Sequence, residues 1–74
     1  MQINLDVKRL LCPMPVIRLG EMIDKVDTGD TIEMLATDRG VLHDIPAWCK
    51  VHGHKVREIK EKTDEIIIIV EKIG

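Results

Sequence analysis

Hydrophobic and polar positions along the chain alternate between two rhythms. Residues 2–7 set Ile3, Leu5 and Val7 against Gln2, Asn4 and Asp6. That period of two predicts a half-buried strand. Residues 13–26 change register: Val16, Leu19, Gly20, Ile23 and Val26 recur at helical spacing, and Arg18, Glu21, Asp24 and Lys25 are left for solvent. Pro13 stands at the first helical position, where a missing N–H costs little. Asp27-Thr28-Gly29-Asp30 reads as a turn. Strand rhythm returns over 31–37, with Ile32, Met34 and Ala36 on one face. A loop, Thr37-Asp38-Arg39-Gly40, follows.

Residues 41–52 carry Leu42, Ile45, Cys49 and His52 roughly on one side. Pro46 limits where that helix can start. With Asp44 as its N-cap, Pro46 falls in the first turn, so regular helix is expected from about Asp44, after a looser turn. Gly53 is a suitable C-terminal cap. Residues 54–61 form a weak strand in which Val56 and Ile59 break strict alternation, the mark of a bulge. Lys62-Thr63-Asp64 makes a hairpin turn into a last strand over 65–72.

The element order is therefore β-α-β-α-β-β. It predicts an α/β fold, a two-layer α/β sandwich whose four-stranded mixed sheet carries both helices on one face. The run Ile66-Ile67-Ile68-Ile69-Val70 departs from alternation. Two readings remain open for it: a central strand, or an open sheet face that meets a partner or a second copy.

Composition narrows the class. Seventy-four residues, 45% hydrophobic and 32% charged, make one globular domain, residues 1–74, near the size at which a single core becomes marginal. Net charge is −2, with the two signs interspersed, which argues against direct nucleic-acid binding. Trp48 is the single aromatic residue, so the core is aliphatic and no base-stacking platform is available. The start of the chain lacks the pattern of a signal peptide, and no apolar run approaches membrane-spanning length. A cytoplasmic protein without membrane insertion is expected. In that reducing setting Cys12 and Cys49 are expected to be thiols.

Cys12-Pro13-Met14-Pro15 is the most informative stretch. Cys12 follows the first strand and directly precedes the first helix, so it is a candidate N-cap near the positive end of the helix dipole. That position is expected to favour thiolate, the nucleophilic form. Pro13 and Pro15 fix their own φ angles and restrain the residues before them, and so frame the sulfur. On the residues alone, a reactive cysteine and a buried cysteine acting as a small hydrophobe both remain open.

Two blocks resemble the TusA-like (SirA-like) family of sulfur carriers. The first is Leu5-Asp6 followed by Cys12-Pro13-Met14-Pro15, the family's CPxP motif. The second is Thr37-Asp38-Arg39-Gly40, then Asp44-Ile45-Pro46-Ala47-Trp48-Cys49-Lys50 and Gly53-His54. The resemblance spans essentially the whole chain and implies the same element order. It implies a sulfurtransferase-type relay in which Cys12, the candidate catalytic residue, accepts sulfane sulfur as a persulfide. The donor would be a cysteine desulfurase or a rhodanese-type protein, and the acceptor a DsrE- or TusD-type protein. The uses implied are tRNA thiolation, cofactor assembly or sulfur metabolism, with no metal and no organic cofactor. Many members carry glycine where this chain has Arg9, and proline where it has Arg39.

Other residues have competing readings. Cys49 is a possible secondary thiol, but its helical phase with Leu42 and Ile45 favours the core. Trp48 suits either docking or burial. The spacing of Cys49, His52 and His54 is not a standard zinc arrangement, and His43 stands apart. Lys8, Arg9, Arg18, Arg39 and Lys50 are candidates to stabilise a thiolate or to dock an acidic partner. Besides the relay, two functions stay open: a non-catalytic regulatory or protein-binding module, and a redox or selenium-related thiol protein using both cysteines.

Overall fold

The computed structural model describes residues 1–74. Its elements are β1 (Gln2–Val7), α1 (Met14–Ile23), β2 (Thr31–Ala36), α2 (Val41–His52), β3 (Lys55–Glu61) and β4 (Ile66–Glu71). The sheet order is β1-β2-β4-β3. β1 and β2 run parallel, and β4 pairs antiparallel with both β2 and β3. The mixed four-stranded sheet with two helices on one face is thus the architecture the sequence predicts.

The core lies between that face and the helices. Ile32, Met34 and Ala36 of β2 and Ile66, Ile68 and Val70 of β4 are buried there, opposite Leu19 and Ile23 of α1 and Val41, Ile45 and Cys49 of α2. Each set keeps the period of its element, two on the strands and about four on the helices. The isoleucine run is explained by position. β4 is central, so Ile66 and Ile68 face the helices, while Ile67 and Ile69 are half-buried on the open face. The expected bulge in β3 falls between Val56 and Glu58. β3 itself is an edge strand carrying Lys55, Arg57, Glu58, Lys60 and Glu61, charges that discourage further strand pairing.

Two helix boundaries differ from expectation. α1 ends at Ile23 with Asp24 as its C-cap, although Val26 still reaches the core from the following turn. α2 begins at Val41 rather than near Asp44, so Pro46 lies inside the helix. The first turn is tight. Val41, Leu42 and His43 N–H groups donate to the carbonyls three residues back, those of Asp38, Arg39 and Gly40. Those bonds and the burial of Val41, worth roughly 1.5–3 kcal/mol, offset the hydrogen bond that Pro46 removes. Gly53 closes α2 in the left-handed conformation with φ 77°, as predicted for a C-terminal cap.

Because β1 and β2 are parallel neighbours, the loops leaving their C-terminal ends lie side by side. One leads into α1 and carries Cys12. The other leads into α2 and carries Asp38 and Gly40.

Candidate functional site

The chain leaves β1 through a bend at Arg9, which adopts φ 70°, a conformation that glycine takes without strain and arginine does not. Its N–H donates to Thr37 Oγ1 at 2.8 Å. Cys12 N–H donates to Asp38 Oδ2 at 2.9 Å, and Gly40 N–H to Asp38 Oδ1 at 3.2 Å. One carboxylate thus ties the two loops together. The Cys12–Pro13 peptide is cis.

Cys12 does not cap α1. Pro13 occupies the N-cap position and no side chain bonds the exposed N–H groups of that helix. The sulfur lies instead against the start of α2: a Cβ built on Gly40 would stand 2.8 Å from Cys12 Sγ, and 3.4 Å from Asp38 Oδ2. Gly40 is required here for close approach. Asp44, one turn beyond Gly40 and so on the same side of α2, presents a second carboxylate to the sulfur.

These neighbours overturn the expected thiolate. The Cys12 thiol is pushed up to about 12, first by its hydrogen bond to Asp44, then by its bond to Asp38, with burial and the two negative charges adding to the effect. Negative neighbours that accept the S–H proton favour the neutral form. The same bonds work in reverse on the acids. The backbone N–H and then the thiol of Cys12 hold Asp38 below the usual carboxylate range, and the thiol of Cys12 followed by His43 does so for Asp44.

None of the candidate basic residues counters this. Arg39 bonds Glu61 at 2.9 Å and Arg18 bonds Glu21 at 3.3 Å. Lys8 and Arg9 line a polar depression with Asp6, Thr37, Asp64 and Glu65, while Lys50 is exposed in the last turn of α2.

Cys12 is half-buried, and apolar residues near it in the chain are exposed: Leu11 is 73% exposed, and Met14 and Ile17 also face solvent. Pro15 is buried under the first turn of α1, where its missing N–H costs nothing. Cys49 is buried to 1% exposure among core side chains. It lies nine residues beyond Gly40 on α2, about 13 Å along the helix axis, out of disulfide range of a sulfur held at Gly40. Trp48 is half-buried, facing Gly20 of α1, with the His52 ring tilted against it at 4.4 Å between centroids and the His54 ring stacked at 5.7 Å. His43 is elsewhere, beside Asp44.

The sequence singled out Cys12, Pro13 and Pro15 but not the partners of the sulfur, Asp38, Gly40 and Asp44. The signal that points to them is topological. In a β-α-β unit with adjacent parallel strands, the two loops at the strand C-termini face one crevice.

Comparison with known proteins identifies the family and agrees with the fold. The family model "Sulfurtransferase TusA" matches residues 3–72. A Bacillus subtilis protein described as "Putative sulfur carrier protein YrkI" is 41% identical over 61 residues, 82% of this chain and 77% of that protein. The sulfur carrier protein TusA of Allochromatium vinosum is 29% identical over 93% of this chain and 91% of its own. The crystal structure of a SirA-like protein from Desulfitobacterium hafniense superposes with a TM-score of 0.84 over the whole of both chains at 20% identity, a likeness of fold. With its element order, its Cys-Pro-x-Pro loop and a family match over nearly its full length, the chain belongs to the TusA family of sulfur carriers.

Proposed function

We propose that the protein carries sulfane sulfur as a persulfide on Cys12 and relays it between proteins. In loading, Cys12 sulfur attacks the outer sulfur of a donor persulfide. The new S–S bond forms on Cys12, the donor S–S bond breaks, and the donor cysteine leaves as thiolate and takes up the proton that Cys12 gives up. In delivery, the acceptor thiolate attacks the outer sulfur on Cys12, and Cys12 departs with its original sulfur. Both steps are exchanges of the thiol–disulfide kind, with no net oxidation and no added reductant.

The observation that carries this reading is the contrast in access between the two thiols. Cys12 is only half-buried, in a stretch of chain whose Leu11, Met14 and Ile17 are exposed, and Cys49 is sealed in the core. Large exposed apolar side chains grouped at one place suit contact with another protein. Pro13 and Pro15 frame the sulfur by restricting the backbone on either side of Met14. The donor would be a cysteine desulfurase or rhodanese-type protein and the acceptor a DsrE- or TusD-type protein. The relay would operate in the cytoplasm, serving tRNA thiolation, cofactor assembly or sulfur metabolism. No helix is long and apolar enough to cross a membrane.

The test follows sulfur through the relay. Incubation with a cysteine desulfurase and radiolabelled cysteine should place label on this protein, and subsequent mixing with a DsrE-type acceptor should move it on. Cys12→Ser should block both transfers. Label that reaches the acceptor equally well through Cys12→Ser would refute the proposal.

A further inference from the structure

We propose that Asp38 and Asp44 are positioning residues that keep the unloaded Cys12 a neutral thiol, so that the empty carrier reacts slowly with anything but its donor and the loaded carrier reacts readily. The inference rests on the persulfide role of Cys12 and adds to it a means by which loading itself changes the reactivity of the site.

The geometry is specific. Asp38 is fixed by two backbone N–H groups, those of Cys12 and Gly40, which hold its carboxylate beside Gly40, where the sulfur also lies. Gly40 removes the Cβ that would otherwise fall 2.8 Å from Sγ, so the sulfur can rest in the crevice beside Asp38. Asp44 approaches from the first turn of α2. The charged groups acting on Cys12 are these two carboxylates, one from the β2–α2 loop and one from α2. Arg39, adjacent to Asp38 in sequence, is turned to Glu61, and His43 contacts Asp44 only at 3.5 Å. The site therefore lacks the cation that commonly activates a cysteine nucleophile.

Loading alters this balance in two ways. An added sulfur lies about 2 Å beyond Sγ, the length of an S–S bond. With Sγ against Gly40 and Cys12 only half-buried, the outer sulfur of the proposed persulfide would lie on the open side, where repulsion by the carboxylates is weaker. A persulfide also ionises more readily than a thiol. The anion disfavoured on Sγ is thus allowed on the outer sulfur, the atom an acceptor must take. For an empty carrier, the neutral form limits alkylation, oxidation and unproductive disulfide exchange, all of which proceed through thiolate. Loading then requires Cys12 to release its proton in the encounter with the donor, whose departing thiolate takes it up.

The test uses the full chain and the rate of iodoacetamide modification, read at the Cys12 peptide by mass mapping across pH. Asp38→Asn, Asp44→Asn and the double variant are compared with the parent, with circular dichroism reporting the fold. Asp44 accepts no backbone N–H group, so Asp44→Asn is the variant least able to disturb the loops. Its midpoint should fall by at least one pH unit, giving about tenfold faster modification at neutral pH, and the double variant should exceed it. A second arm loads Cys12 with inorganic polysulfide. The parent should then be captured at neutral pH far faster than when empty, with Asp44→Asn adding little. Unchanged midpoints in folded Asp38→Asn and Asp44→Asn would overturn the proposal, as would a loaded parent no more reactive than the empty one. Loading of Cys12 by a desulfurase in every variant, with midpoints unmoved, would remove the gate and leave the relay standing. Shifted midpoints with no loading by any donor would do the reverse.

Discussion

The two cysteines have nearly the same protonation preference for unlike reasons. Burial alone pushes the Cys49 thiol up to about 11. Two carboxylates, before burial, push Cys12 to about 12. Core burial is undone only by opening the fold, so the proposed relay gives Cys49 no part while the protein is folded. Carboxylates beside a half-buried sulfur act at the surface, where the proposed partner or an added sulfur would change their effect. Access, rather than acidity, separates the thiol proposed to carry sulfur from the one that fills space.

The sharpest way to break this comparison is to remove each sulfur in turn. Cys12→Ser should abolish sulfur loading by a desulfurase, read as loss of the one-sulfur mass gain, while Cys49→Ser should load normally. The cost of Cys49→Ser should appear in stability instead. A hydroxyl placed in the aliphatic core without an arranged partner should cost about 1–3 kcal/mol in urea unfolding. Equal loss of loading in both variants would contradict the division of roles.

Gly40→Ala tests the crevice that Cys12 has and Cys49 lacks. The added methyl meets Sγ at 2.8 Å, so sulfur or loop must shift, with an expected stability cost of about 1–3 kcal/mol and slower loading. A variant as stable and as quickly loaded as the parent would show that the close approach is unimportant.

Arg9→Gly probes the strain in the loop that delivers Cys12. Arg9 holds φ 70°, so glycine should stabilise the fold by about 0.5–1 kcal/mol, a small upward shift in Tm. The backbone donor to Thr37 is unaffected by the change. A fall in Tm would mean that the arginine side chain contributes more than its backbone costs.

The smallest expected effect lies farthest from the sulfur. His54 Nδ1 accepts a hydrogen bond from Ile73 N–H, which requires the unprotonated nitrogen, and burial followed by nearby Lys72 holds its pKa below the ordinary value of 6.5. A depressed folded pKa contributes stability above the unfolded pKa that is lost as pH falls through the folded one. Hydrogen exchange at Ile73 should therefore quicken below about pH 6.5, with the Cys12 loop unaffected. Exchange independent of pH beyond its intrinsic rate would remove that role.

Much of the molecule was legible because its determinants are local. Period-two and helical rhythms marked β1, α1, β2 and α2, Gly53 marked the end of α2, and broken alternation at Val56 marked the bulge. Pro46 misled because a rule about one residue was applied without the burial of Val41 and the tight turn at Gly40, which outweigh it. The environment of Cys12 was misread for a related reason. Proximity in sequence placed the sulfur at α1, whereas parallel pairing of β1 with β2 brings it to Gly40, Asp38 and Asp44, 26 to 32 positions away. Neither acid has a partner in its own sequence neighbourhood that hints at a thiol.

The most direct test of the central claim is a peptide map of the protein after exposure to a cysteine desulfurase and cysteine, using a reagent that traps persulfides. Occupancy by one reducible sulfur should be found on the peptide containing Cys12 and not on the peptide containing Cys49. Sulfur found on Cys49, or on neither cysteine under conditions that load a known carrier, would contradict it.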